Sequence, residues 1–581
     1  MNANGRKWRV GVAVLVCGLA FSTRAAPTSE QVRKATQGYV KEGNQLEGID
    51  TISNYLSQQL GKASRISTRE LGQLGTAADC VRFMEISRKA KVAPATAQWI
   101  LASGQRLHQV VDMLDPSDKA GECFRIMGLL KEHDPAGSAD YFDLVLAIAV
   151  VMDQGGKGRM HGQMGRDLLP VETDPAKVYD YFKALYSSGA AKIDYAKLGA
   201  SELIFVVVPA PMGELLWARQ NVAGSLSGWD EKYSDIDYDH ARLNGSRFSW
   251  DRGTYTLKAI EEQGGICVDQ AYYAVLTARA HGIPAIYFHG SGKSANHAWF
   301  AYMKGQGDWL LDVGRYQGDS YTTGYAIHPQ TRRQMTDHDV EYTCERSLHS
   351  ADATQASAYV SIAEVLKGRD PDAALRCARL ARELSKKLLR AWEIELGLLV
   401  QQRDFDGLTA LFADKKDAFR EYPDILVESA RQIETVLRKN GRNDEADQLM
   451  RSAAGAVDDD RDDISRSFEN QRINQIIASG DMKKARKELE QMLDDQKDQG
   501  NKIFGLIRQY IKLTKDSGQT REAVKFLEGY VEDLVEEYHF PPAYEEGLLE
   551  LLLSVYQNDG DTKEAEQLKI RIERLRLQQN T

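Results

Sequence analysis

Apolar and polar positions follow three different patterns along the chain. From Pro27 to about residue 200, apolar residues recur at helical spacing in stretches such as ADCVRFMEISRKAK and SADYFDLVLAIAVVMDQ, with turn clusters between them. This predicts an α-helical N-terminal region over 27–200. Between 201 and 346 the pattern is mixed: an apolar helix-like run containing GELLWARQNV precedes an aromatic and acidic loop, KYSDIDYDHARLNG. Next, CVDQAYYAVLTARAHGIP places Ala271, Ala274, Val275 and Ala278 on one helical face and stops at Gly282 and Pro284. AIYFHG, HAWFAYM and DWLLDVG then read as strands by their aromatic and β-branched content, the last two joined by KGQGD as a hairpin.

Over 351–581 the text is helical and repeats itself. GRDPDAALRCA, QRDFDGLTALF, GRNDEADQLMR, GDMKKARKELE, GQTREAVKFLE and GDTKEAEQLKI align on Ala373, Gly407, Ala446, Ala485, Ala523 and Ala565, at intervals of 34, 39, 39, 38 and 42 residues. A turn, then a helix with a small residue at its crossing point, recurring at this period, marks stacked helical hairpins. The segment resembles tetratricopeptide repeats, with a loose consensus, and the resemblance implies an α-solenoid whose groove takes a protein partner.

The start of the chain bears on compartment. Arg6, Lys7 and Arg9 precede an apolar run from Val10 to Phe21, and STRAAP offers a cut near Ala25 or Ala26, so 1–26 reads as a secretory signal peptide. The run is shorter than the roughly 20 residues that span a bilayer. The expectation is an exported protein, periplasmic or extracellular, with no stable membrane insertion after cleavage. A net charge of −10, with lysine and arginine mixed among acids, argues against a nucleic-acid partner. In an oxidising compartment the cysteines gain meaning: without Cys17, five remain, Cys80, Cys123, Cys267, Cys344 and Cys377. The sequence-local pairings, Cys80 with Cys123 and Cys344 with Cys377, leave Cys267 alone.

Cys267 follows Gly264 and Gly265 and opens a helix. There, unpaired amides and the macrodipole favour a thiolate, so its reactivity is expected to titrate below the roughly 8.5 of a free thiol. The glycines allow a sharp turn and close approach of a carbonyl. A hairpin centred between Lys304 and Gly305 sets His297 opposite Asp312, within reach for a carboxylate to orient an imidazole. Cysteine, histidine and aspartate together supply nucleophile, base and orienting group.

GGICVDQA, ARAHGIPAIYF, NHAWFAYM and WLLDVGRY resemble the core of the transglutaminase-like superfamily, four blocks in order over about a quarter of the chain at most. The resemblance implies a papain-like fold at 201–346, within a multidomain α+β chain, with Cys267 as nucleophile, His297 as base and Asp312 as orienter. It also implies an oxyanion site formed by the Cys267 amide and a donor upstream, for which Gln263 and Trp250 are candidates. Trp299 and Trp309 are expected to pack beside the triad. The implied reaction proceeds through a thioester on an amide of a protein or peptide. Water completes hydrolysis, the preferred reading; a lysine amine completes cross-linking, the alternative; a non-catalytic binding scaffold is the third. No cofactor is implied.

Other signals are weaker. GSGKS at 290–294 lacks the first glycine of a phosphate loop, Tyr287 standing there, and precedes a strand. Asp235, Asp237 and Asp239 fit the start of a calcium loop, but His240 and Ser246 occupy its required glycine and glutamate positions. DDDRDD, 458–463, reads as a solvated inter-helix loop. His281, His289 and His297 recur every eight residues, which puts them on no common helical face, so no metal site is expected.

Overall fold

The computed structural model describes residues 46–62, 66–155, 159–245, 247–291, 296–315, 323–343, 345–457, 462–478, 480–497, 503–537 and 542–579. The expected signal peptide and Cys344 lie outside them, as do most of GSGKS and DDDRDD. The chain is mostly helical with one small antiparallel sheet. Among the described residues, no helix is long and apolar enough to cross a membrane.

The sheet contains β1 (Ala285–Ser291), β2 (Asn296–Gly305), β3 (Asp308–Val313), β4 (Tyr325–Ile327) and β5 (Gln334–Thr336), in the order β3-β2-β1-β4-β5. The first three are the strands expected from alternation; β4 and β5, three residues each, carry too little pattern to be read from sequence. The helix Cys267–Ala280 begins at the expected cysteine and packs on β1 and β2. All of its side chains are buried, not only the alanine face, because the helix is enclosed on every side.

The N-terminal helices, the sheet unit and the first repeat helices share one continuous core, running from Ile49 to Leu398. The helices Thr68–Ala90 and Ala351–Leu366 cross so closely that a β-carbon on Gly75 would lie 2.9 Å from that of Ala358. Ser361 donates to Asp79 at 2.7 Å and Arg82 to Ser361 at 3.0 Å across that crossing. The start of the repeat array is thus a wall of the body and not a separate domain.

From Ala351–Leu366 to Thr562–Gln579 the chain runs through paired helices, each packed on the next. The aligned small residues sit near the start of every second helix. Ala373, Ala446 and Ala485 are 0% exposed, Ala523 2% and Ala565 5%, so they mark the close crossings. Several of these helices start at an aspartate N-cap: Asp370 accepts from Ala373 N, Asp404 from Gly407 N, Asp481 from Lys484 N and Asp561 from Glu564 N. At Gly407 a β-carbon would strike the capping Asp404 carboxylate, at 2.5 Å. Two further cores, from Trp392 to Ala453 and from Ile473 to Ile572, continue the array.

Cys80, Cys123 and Cys377 are buried thiols, so the sequence-local pairing of Cys80 with Cys123 is not made; Cys344 lies outside the described residues. Cys80 and Cys123 lie on two helices of a well-filled core, where each serves as a small apolar side chain.

Candidate functional site

The site begins with the two glycines. Gly264 has φ +72°, and a β-carbon there would lie 2.6 Å from the Asp237 carbonyl oxygen; one on Gly265 would lie 2.5 Å from Asp269 Cβ. Both glycines therefore serve the close packing of the turn into the helix. Cys267 follows at the first helical position, with Asp269 capping the turn by accepting from Ile266 N at 2.9 Å.

The backbone N–H of Ala298, in the peptide joining His297 to Ala298, acts on the Cys267 thiol to pull it down, which places that amide near the sulfur. Sheet geometry explains why that amide is available. Met303 N donates to Pro284 O on the β1 side, so by the two-residue period Ala298 turns its N–H and C=O towards β3. Among the described residues, pairing with β3 ends at Phe300 and Val313. The Ala298 N–H faces the Cys267 side, and the Tyr233 hydroxyl donates to the Ala298 carbonyl at 2.8 Å.

His297 is 4% exposed and its ring is stacked on Trp299, with centroids 6.2 Å apart and planes at 23°. The Arg315 guanidinium lies against the same Trp299 ring, 5.3 Å from its centroid. His297 Nε2 lies 2.6 Å from Gly314 O. A carbonyl only accepts, so Nε2 carries the proton and Nδ1 holds the lone pair in the neutral ring. Gly314 has φ +85°, and a β-carbon there would lie 2.6 Å from the Tyr233 ring, so only glycine lets this carbonyl sit beneath the histidine.

Asp312 does not stand opposite His297. The hairpin turns at Gln306–Gly307, with Gly305 paired to Asp308 and Gly307 at φ +65°. Phe300 pairs with Val313 and Tyr302 with Leu310, so Leu311 and Asp312 together oppose Ala301. This is a β-bulge on β3, and it turns Asp312 outwards, exposed. Its carboxylate makes no hydrogen bond among the described residues, and the Gly314 carbonyl occupies the orienting position.

Of the two oxyanion candidates, Gln263 is exposed and engages Arg252 through its main-chain carbonyl at 2.9 Å. Trp250 is buried with the guanidiniums of Arg242 and Arg252 at 5.5 and 6.0 Å from its ring, and its indole N–H meets no acceptor among the described residues. Neither is brought to the sulfur by any contact in the structure. Trp299 packs beside His297 as expected, whereas Trp309 packs edge-on to Phe205. The acidic loop has structural work: Asp239 accepts from Arg242 N at 2.9 Å and pairs with Arg252, and Asp235 pairs with Lys232 at 2.5 Å.

Electrostatics run against the expected thiolate. Burial pushes the Cys267 thiol above its ordinary range, with the Asp269 charge adding to it, and the amides of Ala298, Val268 and Cys267 pulling the other way do not win. Cys267 is 9% exposed and rests as a neutral thiol.

Motif reading missed the support beneath the cysteine. Arg242 donates to Asp269 at 2.7 Å, and the two side chains are 1% and 0% exposed. Arg242 also donates to the carbonyls of Arg247 at 2.9 Å and Phe248 at 2.7 Å. Tyr255 donates to the second Asp269 oxygen at 2.9 Å. Burial pushes the Asp269 carboxyl up, and Arg242, Ile266 N and Tyr255 act to keep it ionised. The signal available in sequence was the acid at the third helical position, where side chains reach back to the helix start.

No family model and no curated protein matches this chain. Similar solved structures include an IFIT1 monomeric mutant with m7Gppp-AAAA, 11% identical, covering 94% of this chain and 100% of its own, at a TM-score of 0.16. Another is a circular tandem repeat protein with novel repeat topology, 10% identical, covering 95% of each chain, at a TM-score of 0.11. Scores this low carry no argument about fold or function.

Proposed function

We propose that this is an exported, transglutaminase-like thiol acyl-transfer enzyme that hydrolyses amide bonds of a protein or peptide, with a tetratricopeptide-like array that recruits a protein partner. One observation carries the reading: a cysteine at a helix N-terminus whose thiol feels the Ala298 amide, the residue next to it in β2 being a histidine whose Nε2 is held by a main-chain carbonyl. In this reading, His297 Nδ1 takes the Cys267 proton as the sulfur attacks the substrate carbonyl. The oxyanion is met by the Cys267 amide. The imidazolium returns the proton to the leaving amine, and a thioester remains. Water, deprotonated by the same nitrogen, then releases the acid and the thiol. The Gly314 carbonyl holds the histidine, the task that sequence had given to Asp312.

The burial of Cys267 favours one rival, a domain that binds without turnover. The test is modification of Cys267 by iodoacetamide, together with incubation of peptide substrates with a labelled amine. Because burial raises the thiol, the rate in wild-type protein should keep rising beyond the roughly 8.5 of a free thiol. His297→Ala should lower the neutral-pH rate about tenfold or more and abolish turnover, a base being worth roughly 10²–10⁴. Gly314→Ala, which forces a β-carbon onto Tyr233, should approach the same phenotype by releasing His297. Ammonia or amine release without amine incorporation supports hydrolysis. A rate indifferent to His297, with neither product, would leave the binding domain.

A further inference from the structure

The support of the Cys267 helix extends beyond its own unit. A strap of the N-terminal region, residues 159–168, lies along the loop that carries Trp250 and Tyr255. Trp250 N donates to Gln163 O and Tyr255 N to Asp167 O, both at 2.9 Å, and Leu168 bridges Tyr255 in parallel. The strap delivers His161. Gln163 N donates to His161 Nδ1 at 3.2 Å, so Nε2 carries the proton and donates to the Tyr255 hydroxyl, 3.0 Å away. Tyr255 in turn donates to Asp269, which caps the first turn under Cys267. His161 donates to Tyr255 and Tyr255 to Asp269, whose carboxylate accepts Ile266 N–H on its other oxygen, so every donor in the line meets an acceptor. Burial, reinforced by Arg242 and Arg159, pushes His161 down to about 3, so the ring is neutral and the direction does not reverse in the working pH range.

His161 is also packed against an aromatic side chain of β1. Its ring is stacked on Tyr287, with centroids 5.7 Å apart and planes at 16°. Burial raises the Tyr287 phenol.

We infer that His161, supplied by the N-terminal region, is a positioning residue for Cys267, acting through Tyr255 and Asp269 on the helix start. The inference rests on Cys267 being the reactive thiol of the proposed function. It assigns the N-terminal region a part in the chemistry, since without the strap the Tyr255 hydroxyl loses its donor and Asp269 is less well compensated beside the sulfur.

The test uses the full chain carrying His161→Phe, His161→Gln or Tyr255→Phe, with iodoacetamide modification of Cys267 followed by peptide mass spectrometry from neutral to alkaline pH, and thermal unfolding in parallel. His161→Phe keeps a ring for Tyr287 but has no N–H. Both phenylalanine substitutions should slow modification on the order of fivefold, the worth of one net hydrogen bond, and move its pH midpoint to the alkaline side. His161→Gln, whose amide still donates, should recover most of the rate. Unchanged rate and midpoint in both phenylalanine variants overturn the inference, as does a loss that glutamine fails to rescue in protein of wild-type stability. Should His161→Phe not fold, Tyr255→Phe, which deletes one oxygen, decides. If His297→Ala leaves modification unchanged, or wild-type Cys267 is never modified, the proposed function fails and this inference with it. If His297→Ala abolishes modification while the His161 and Tyr255 variants do nothing, this inference alone fails.

Discussion

Two helices of fourteen residues show how differently the two halves of this chain use the same secondary structure. Cys267–Ala280 is buried at every position, polar ones included. Met482–Asp495, in the repeat array, buries only Ala485, Leu489, Met492 and Leu493, an i, i+4, i+7, i+8 stripe. Along that repeat helix the polar residues stay at the surface and cost little. In the first, Asp269, Gln270, Thr277 and Arg279 are all buried, and each has a partner: Asp269 has Arg242, Gln270 reaches Ile236 O at 2.8 Å, Thr277 reaches Ala274 O at 3.1 Å, and Arg279 bonds the carbonyls of Phe205 and Ala285, each at 2.9 Å. A buried polar group without a partner costs about 1–3 kcal/mol, more when charged. The array is therefore held together by a repeated apolar stripe, whereas the site-bearing unit depends on individual polar contacts that cannot be exchanged.

The comparison is broken most forcefully at Arg242. Arg242→Ala leaves Asp269 charged, buried and without its ion-pair partner, and should destabilise the chain by about 3–5 kcal/mol, measured by chemical denaturation of the full protein. If the loss is instead of the size expected at a surface ion pair, about 0–1 kcal/mol, the contrast between the halves is wrong. A mutation of the other kind belongs in the array. Ala485→Leu forces extra methylenes into a crossing that is 0% exposed, and should cost about 1–3 kcal/mol. Because Ala485 belongs to the Ile473–Ile572 core, separate from the core holding Cys267, iodoacetamide modification of Cys267 should be unchanged in that variant.

The same contrast explains what could be read from sequence. The repeat helices were legible because a solvated helix displays its buried stripe, and because small residues and aspartate caps recur at fixed places. The Cys267 helix was legible at its ends, through Gly264, Gly265, Gly282 and Pro284, but a helix buried all round has no stripe to say which residues matter. Arg242, Tyr255 and His161 come to Asp269 from 27, 14 and 108 positions away in the chain, and no local pattern ties them together. The hairpin register was partly recoverable: Gln306–Gly307, with glycine at positive φ, is a two-residue hairpin turn, and centring the turn there would have moved the pairing towards the observed one. The bulge at Leu311–Asp312 has no such signal. A single extra residue in one strand leaves the alternation of its neighbours nearly intact while turning one side chain out of the site.

Asp312 accordingly gives the smallest and most discriminating effect. An aspartate that orients a catalytic histidine holds its tautomer, and its loss reduces turnover by orders of magnitude. An exposed aspartate on a bulge, with no hydrogen bond among the described residues, should tolerate Asp312→Asn within about 0.5 kcal/mol of stability. The Cys267 modification profile should likewise stay where it is, because the Gly314 carbonyl still receives the His297 Nε2 proton at 2.6 Å. The paired measurement is Gly314→Ala, which leaves every carboxylate in place and moves the carbonyl. If Asp312→Asn is silent and Gly314→Ala is not, the histidine is held by the main chain that follows β3. If the reverse is found, the bulge must unwind when substrate binds and bring Asp312 round to the ring, and the orienting group would then be a property of the occupied site.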